Sequence, residues 1–227
     1  MKQGFELALA GLMALTALVL GGWVGMAEFR SAPRVQGPAL SRLADIDLDR
    51  QGVGFSPMRQ RALLMDCEYG LRAENSLEAR FVGAEAMASI PALCTRIALS
   101  VAQKNSGNAL AWTVAAAGML AQDRPAEANL YLANSYNAAP RETWLARLRV
   151  GVVGGHEARI DGAAKAGYLA DLAALAGDQA DMWALAQRFI TDPAFRPYMT
   201  EALARLPEAT QKTFLDGLSG LMSRGGM

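Results

Sequence analysis

The sequence has one histidine, His156, and only two cysteines, Cys67 and Cys94, in 227 residues. A single imidazole leaves little room for a histidine-dependent triad or a multi-histidine metal site. Charge of either sign is not in excess: 22 basic residues face 22 acidic ones. That balance excludes a general nucleic-acid partner and a polybasic membrane tether. Runs of β-branched residues are missing, which argues against a sheet. No Gly-x-Ser-x-Gly elbow and no phosphate-cradling loop is present. Gly151-Val152-Val153-Gly154-Gly155-His156 is glycine-rich, but it follows a helical pattern rather than a strand and reads as an interhelix turn. His156 reads as a cap or surface residue. Asp45-x-Asp47-x-Asp49 has calcium-loop spacing, yet Arg50 and Ser56 stand where the loop needs Gly and Glu. No metal and no cofactor is expected.

What is there begins with Leu7–Ala27, which holds no charge and a single polar side chain, Thr16. About 20 apolar residues span a bilayer core of about 30 Å as helix. Trp23 sits near the end of the run, where an indole prefers the interface. A cleavable signal peptide is the competing reading, with Lys2 as its basic head and Gly25-x-Ala27 as its cleavage site. The run exceeds the usual signal core of about 7–15 residues, which favours a permanent anchor. No cysteine follows it to receive a lipid. Lys2 flanks one side, and Arg30, Arg34 and Arg42 the other. Counted alone, these charges place the bulk of the chain in the cytoplasm. Long domains translocate largely regardless of charge, so an exported domain is expected. Gly21-x-x-x-Gly25 would let a second membrane helix approach closely.

Residues 1–27 thus read as the anchor and 28–57 as a linker, punctuated by Pro33, Gly37, Pro38, Gly52, Gly54 and Pro57, with a short helix over Ala39–Leu48. From Pro57 onward Ala and Leu recur at helical spacing, and the pattern predicts about nine to eleven helices and no strand. Asn75-Ser76-Leu77-Glu78 is a capping-box variant opening a helix through Phe81, Val82 and Met87. Asp123 is placed to cap a helix with Pro125 in its first turn, and Pro140 to open the helix carrying Trp144, Leu145 and Leu148. Asp178 and Asp192-Pro193 are read the same way.

A period of 34 residues is present. Over Ala109–Pro140, Trp112, Ala115, Ala116 and Met119 share one face of a first helix; Ala128, Leu132 and Ser135 share one face of a second. Small residues at Ala116 and Ala128 allow close crossing, Trp112 and Leu132 fill the space between pairs, and Pro140 ends the unit. The stretch resembles the tetratricopeptide repeat. It departs from that signature at Ala115-Ala116, Met119 and Ser135. One period back lie Phe81, Val82, Cys94, Ala98 and Val101, with Cys94 at the small position of Ala128. One period forward lies Trp144, and the match fades after Gly151.

The apolar run, the helical periodicity and this resemblance together predict an all-α protein: one transmembrane helix, then a TPR-like solenoid or helix-hairpin array over 58–155, which the resemblance implies, and a helical region over 156–227. Cys67 and Cys94 can pair in an oxidising compartment, closing a loop of about 27 residues worth ~3 kcal/mol, or sit as buried core thiols. Trp144, Arg147 and Arg149 gather on one helix and form the candidate interaction surface, since Trp and Arg favour interface hot spots. Carboxylate pairs such as Glu68 with Glu74, or Asp178 with Asp181, read as caps and solvated faces. The expectation is a scaffold that docks a protein partner in or at a bacterial inner membrane, with no nucleic acid. Anchored helical-repeat accessory factors of exopolysaccharide export and cytochrome maturation are similar. The competing expectations are an envelope carbohydrate-active enzyme using two carboxyl groups about 5–10 Å apart, and a cytoplasm-facing adaptor.

Overall fold

The computed structural model describes residues 2–30 and 37–225. Pro33 and Arg34 of the expected linker lie outside them, as do the side chains of Lys2 and Arg30. Every regular element among the described residues is helical. In order these are α1 (Lys2–Arg30), α2 (Ala39–Ala44), α3 (Leu48–Gln51), α4 (Pro57–Arg72), α5 (Leu77–Val82), α6 (Ala84–Lys104) and α7 (Ala109–Ala121). After them come α8 (Pro125–Ala138), α9 (Thr143–Val153), a 3-10 turn at Glu157–Arg159, α10 (Gly162–Ala176), α11 (Gln179–Thr191), α12 (Arg196–Leu203) and α13 (Glu208–Gly225). Two of them, α1 and α6, are long and apolar enough to cross a membrane. No side chain of α1 over Leu9–Phe29 is buried, whereas α6 buries a third of its apolar window.

The chain divides into two compact units, residues 1–90 and 91–227, with the boundary inside α6. That division falls within the 58–155 stretch read from sequence as one repeat region.

In the first unit, the segment expected to be a linker supplies core. Leu40 and Leu43 of α2 are fully buried, together with Leu64 and Cys67 of α4. They are i and i+3 on one helical face, so six residues suffice to present both. At Gly70 a Cβ would come 2.9 Å from Leu43 Cδ1, so α2 and α4 approach as closely as they do because position 70 has no side chain. The helix opening at Leu77 is capped by Ser76, whose Oγ accepts from Ala79 N–H at 3.1 Å. Asn75 therefore lies one residue outside the cap. Glu78 does not close a capping box. Its carboxylate crosses to α2, where Leu40 N–H donates to Oε1 at 2.6 Å; the residue before α2 is Pro38, which has no capping side chain. That helix ends at Val82 because Gly83, at φ +94°, turns the chain before α6 begins.

In the second unit α7 is apolar almost all round and correspondingly buried. Hairpin neighbours pack on each other, α7 on α8, α9 on α10, and α10 on α11. Alternate helices pack too: α7 on α9, α8 on α10, α10 on α12 and α11 on α13. Ala116, Ala128 and Leu132 are fully buried, while Trp112 is half-buried, stacks on Tyr131 at 5.7 Å and donates from Nε1 to Ser106 O at 2.8 Å. Two glycines set the closest approaches. A Cβ on Gly118 would overlap Thr95 Oγ1 of α6, and one on Gly167 of α10 would overlap the Tyr136 ring of α8.

Three helix starts differ from expectation. Asp123 is not a cap: it sits in the left-handed region at φ 62°, and its carboxylate pairs with Arg159 while Arg124 takes the cap position. Pro140 is an exposed turn residue three places before α9, whose cap position is Glu142. Asp192 closes α11, and its Oδ1 accepts from Ala194 N–H at 3.1 Å in the turn that follows. Asp178 does cap α11, accepting from Ala180 N–H at 2.9 Å.

Candidate functional site

Helix α9 carries the three residues read from sequence as one surface, and it separates them. Trp144 is 36% exposed at the start of the helix. Arg147 keeps 49% of its side chain exposed and donates from Nε to both Asp181 oxygens, at 2.7 and 2.9 Å. Arg149 is wholly buried and is no part of an exposed surface. The cause is helical geometry: residues two apart point to opposite faces, and Arg149 shares the inward face of Leu145.

Inside, Arg149 is the hub of a polar network. Its guanidinium grips Asp171 of α10 bidentately, Nε to Oδ2 at 2.7 Å and Nη2 to Oδ1 at 2.8 Å. Its Nη1 donates to Ala139 O at 3.1 Å and reaches Ser135 Oγ at 3.4 Å. Its carbon centre lies 4.5 Å from the Tyr136 ring centroid. Ser135 passes the network to α7: its Oγ donates to Ala109 O at 3.0 Å and lies 2.8 Å from Thr113 Oγ1. So the serine that departs from the repeat signature at 135 is a hydrogen-bonding link between α7, α8 and α9. Burial pushes the Asp171 carboxyl upward against the pull of the Arg149 bridge.

A second buried acid, Glu157, pairs with Arg188 of α11 and accepts from Tyr168 Oη at 3.4 Å. Arg188 also lies over the Phe195 ring at 4.3 Å and donates to Asp192. His156, beside them, is half-buried, and its imidazole pKa is lowered by burial first and by the neighbouring Arg159 second. In the first unit the buried Glu68 pairs with Arg72. These three buried carboxylates are thus each bound to an arginine, the partner that burial of a charge requires.

The two cysteines are buried and disulfide-bonded. Asp47 accepts from Arg50 N–H at 3.2 Å as the cap of α3, which gives the acidic linker stretch a local structural use. An open hollow of about 350 Å³ in the first unit is lined by Ser41, Ala44, Asp45, Phe81 and Val82. It holds one carboxylate, Asp45, where glycoside chemistry needs a pair. The sequence reading missed Gly118, Gly167 and Asp171. The glycines carry a legible signal, each lying inside an otherwise Ala-rich helix.

No protein-family model matches the chain, and neither a curated protein nor a solved structure matches it significantly.

Proposed function

We propose that this chain is a membrane-anchored docking scaffold, an accessory or assembly subunit of a bacterial envelope complex, with its helical domain on the exported side. Two observations carry this reading: alternate helices pack within the second unit, α7 on α9, α8 on α10, α10 on α12 and α11 on α13, and the first unit contains a helix of bilayer length. Packing of alternate helices is what stacked hairpins of a TPR-like solenoid produce, and such arrays offer extended surfaces to partner segments. Trp144 and Arg147, the exposed pair on α9, are the residues assigned to that surface. The disulfide-bonded cysteines support the exported orientation, because disulfides persist in oxidising compartments. Exopolysaccharide biosynthesis or export is the pathway the resemblance suggests. A tether raises the local concentration of the scaffold at the membrane, so docking there becomes near-intramolecular.

The test is affinity purification from detergent with and without residues 7–27. A partner retained in stoichiometric amount supports the scaffold; retention by the anchored form alone adds α1 to the recognition surface. Absence of any retained partner from both forms contradicts the proposal. A compartment-specific reporter fused after residue 227 tests orientation, and activity on the cytoplasmic side would reverse it.

A further inference from the structure

At the C-terminal end of α1 the first unit folds back on the helix. Glu28 Oε1 accepts from the backbone N–H groups of Phe55 and Ser56, the latter at 2.5 Å, directly ahead of α4. Arg59 of α4 returns the contact, donating to the Glu28 carbonyl and lying 3.5 Å from its carboxylate. The Phe55 ring packs beside Trp23, with centroids 5.4 Å apart. Helix α3 lies against α1 as well. The start of α4 is therefore held at the level of Trp23 by two independent ties, one polar and one aromatic.

Large apolar side chains are exposed around this corner. Met58, in the first turn of α4, is 83% exposed, and Phe29, the residue after Glu28, is 79% exposed. Phe55 is partly exposed beside them. Large apolar side chains this open are costly in water, and three of them on the two segments that the Glu28 tie joins mark a contact surface. The occupant follows from position. Trp23 lies four residues before the end of an apolar run of bilayer length, Leu7–Ala27, which places it near the headgroup boundary. Any side chain fixed beside Trp23 shares its depth. We infer that Phe29, Phe55 and Met58 form a wedge that enters the lipid interface, so that the first unit lies on the bilayer rather than hanging from a free tether. Glu28 and Arg59 satisfy each other at the base of this wedge, which spares the interface an unpaired charge. The inference rests on α1 spanning the membrane.

The test is spin-label depth measurement on the full chain in vesicles of phosphatidylcholine and phosphatidylglycerol. Both native cysteines are disulfide-bonded, so one introduced cysteine carries the label. Labels are placed singly by Met58→Cys and, in the middle of α1, by Leu18→Cys, at a side chain that is likewise exposed. The expected result is a several-fold excess of oxygen collisions over collisions with a water-soluble nickel complex at both sites, larger at Leu18 than at Met58. A label at Leu18 in lipid with one at Met58 in water overturns the wedge and leaves the span intact. Both labels in water overturn the spanning reading itself. Lipid contact at Met58 that disappears on Phe55→Ser assigns the depth to the Trp23 tie; contact that survives it leaves the Glu28 tie as sufficient.

Discussion

The corner around Glu28 and the network around Arg149 both use a charged side chain to join helices, under opposite conditions. At the corner the carboxylate is partly solvated and accepts from backbone N–H groups at the start of another helix. In the second unit the guanidinium is sealed from water and its partner carboxylate is nearly so. The first arrangement costs little to break, because water replaces what is lost. The second does not forgive a missing partner, because the remaining charge stays buried. Half-exposed ties therefore set where a segment sits, and the sealed network sets how three helices meet.

That contrast breaks most visibly at Asp171. Asp171→Ala strands the Arg149 guanidinium and should cost about 3–5 kcal/mol in denaturant unfolding of the second unit. Replacing both members, Arg149→Met with Asp171→Leu, should recover most of that loss. Arg147→Ala, two residues away on α9, removes an ion pair half open to water and should cost under about 1 kcal/mol. If the two arginine sites respond equally, the distinction between sealed and solvated pairs fails.

Next in size is Gly167→Ala, whose new methyl meets the Tyr136 ring held under Arg149. Overpacking there should cost about 1–3 kcal/mol. Combined with Tyr136→Leu the loss should fall short of the sum, since the two side chains compete for one space. A purely additive result would show that α8 and α10 do not meet through this contact.

Ser56→Ala removes the side-chain cap of α4 beside the Glu28 tie and should cost about 1 kcal/mol. Glu28→Gln keeps the acceptor oxygen but loses its charge, and should cost less than Ser56→Ala. A loss from Glu28→Gln as large as that from Asp171→Ala would erase the comparison.

The smallest effect concerns the tyrosines. The Tyr136 hydroxyl is buried and makes no hydrogen bond among the described residues, so Tyr136→Phe should be neutral or mildly stabilising near pH 7. Burial is the main cause that raises the Tyr136 and Tyr168 phenols above their ordinary value of 10.0. The folded state then holds those protons more tightly than the unfolded chain. Their contribution is complete below about pH 10 and is lost as pH rises above it. Tyr136→Phe should flatten the alkaline fall in melting temperature; an unchanged slope assigns that fall to other groups.

The all-helical character was legible, because period and turn residues agree from Pro57 onward. Leu40 and Leu43 were not recognised as core because proline and glycine on both sides make a six-residue helix look like linker. Asn75, Asp123 and Pro140 were misplaced at helix starts by one to three residues, since cap chemistry marks a neighbourhood and tertiary partners choose the residue. Arg159 claims Asp123, and α2 claims Glu78. The split of Arg147 from Arg149 was readable from helix geometry alone, as residues two apart cannot share a face. The choice of Asp171 as the buried partner was not, because it depends on how α9 and α10 cross.

Site-specific photocrosslinking in intact cells tests the docking account most directly. With a photoreactive residue at Trp144, the full-length protein should yield one discrete adduct heavier than its own 24.1 kDa, recovered with the membranes. The same residue at Arg147 should give that same adduct. No adduct from either position, with the anchored protein folded and present, would contradict the claim that this face of α9 holds a partner.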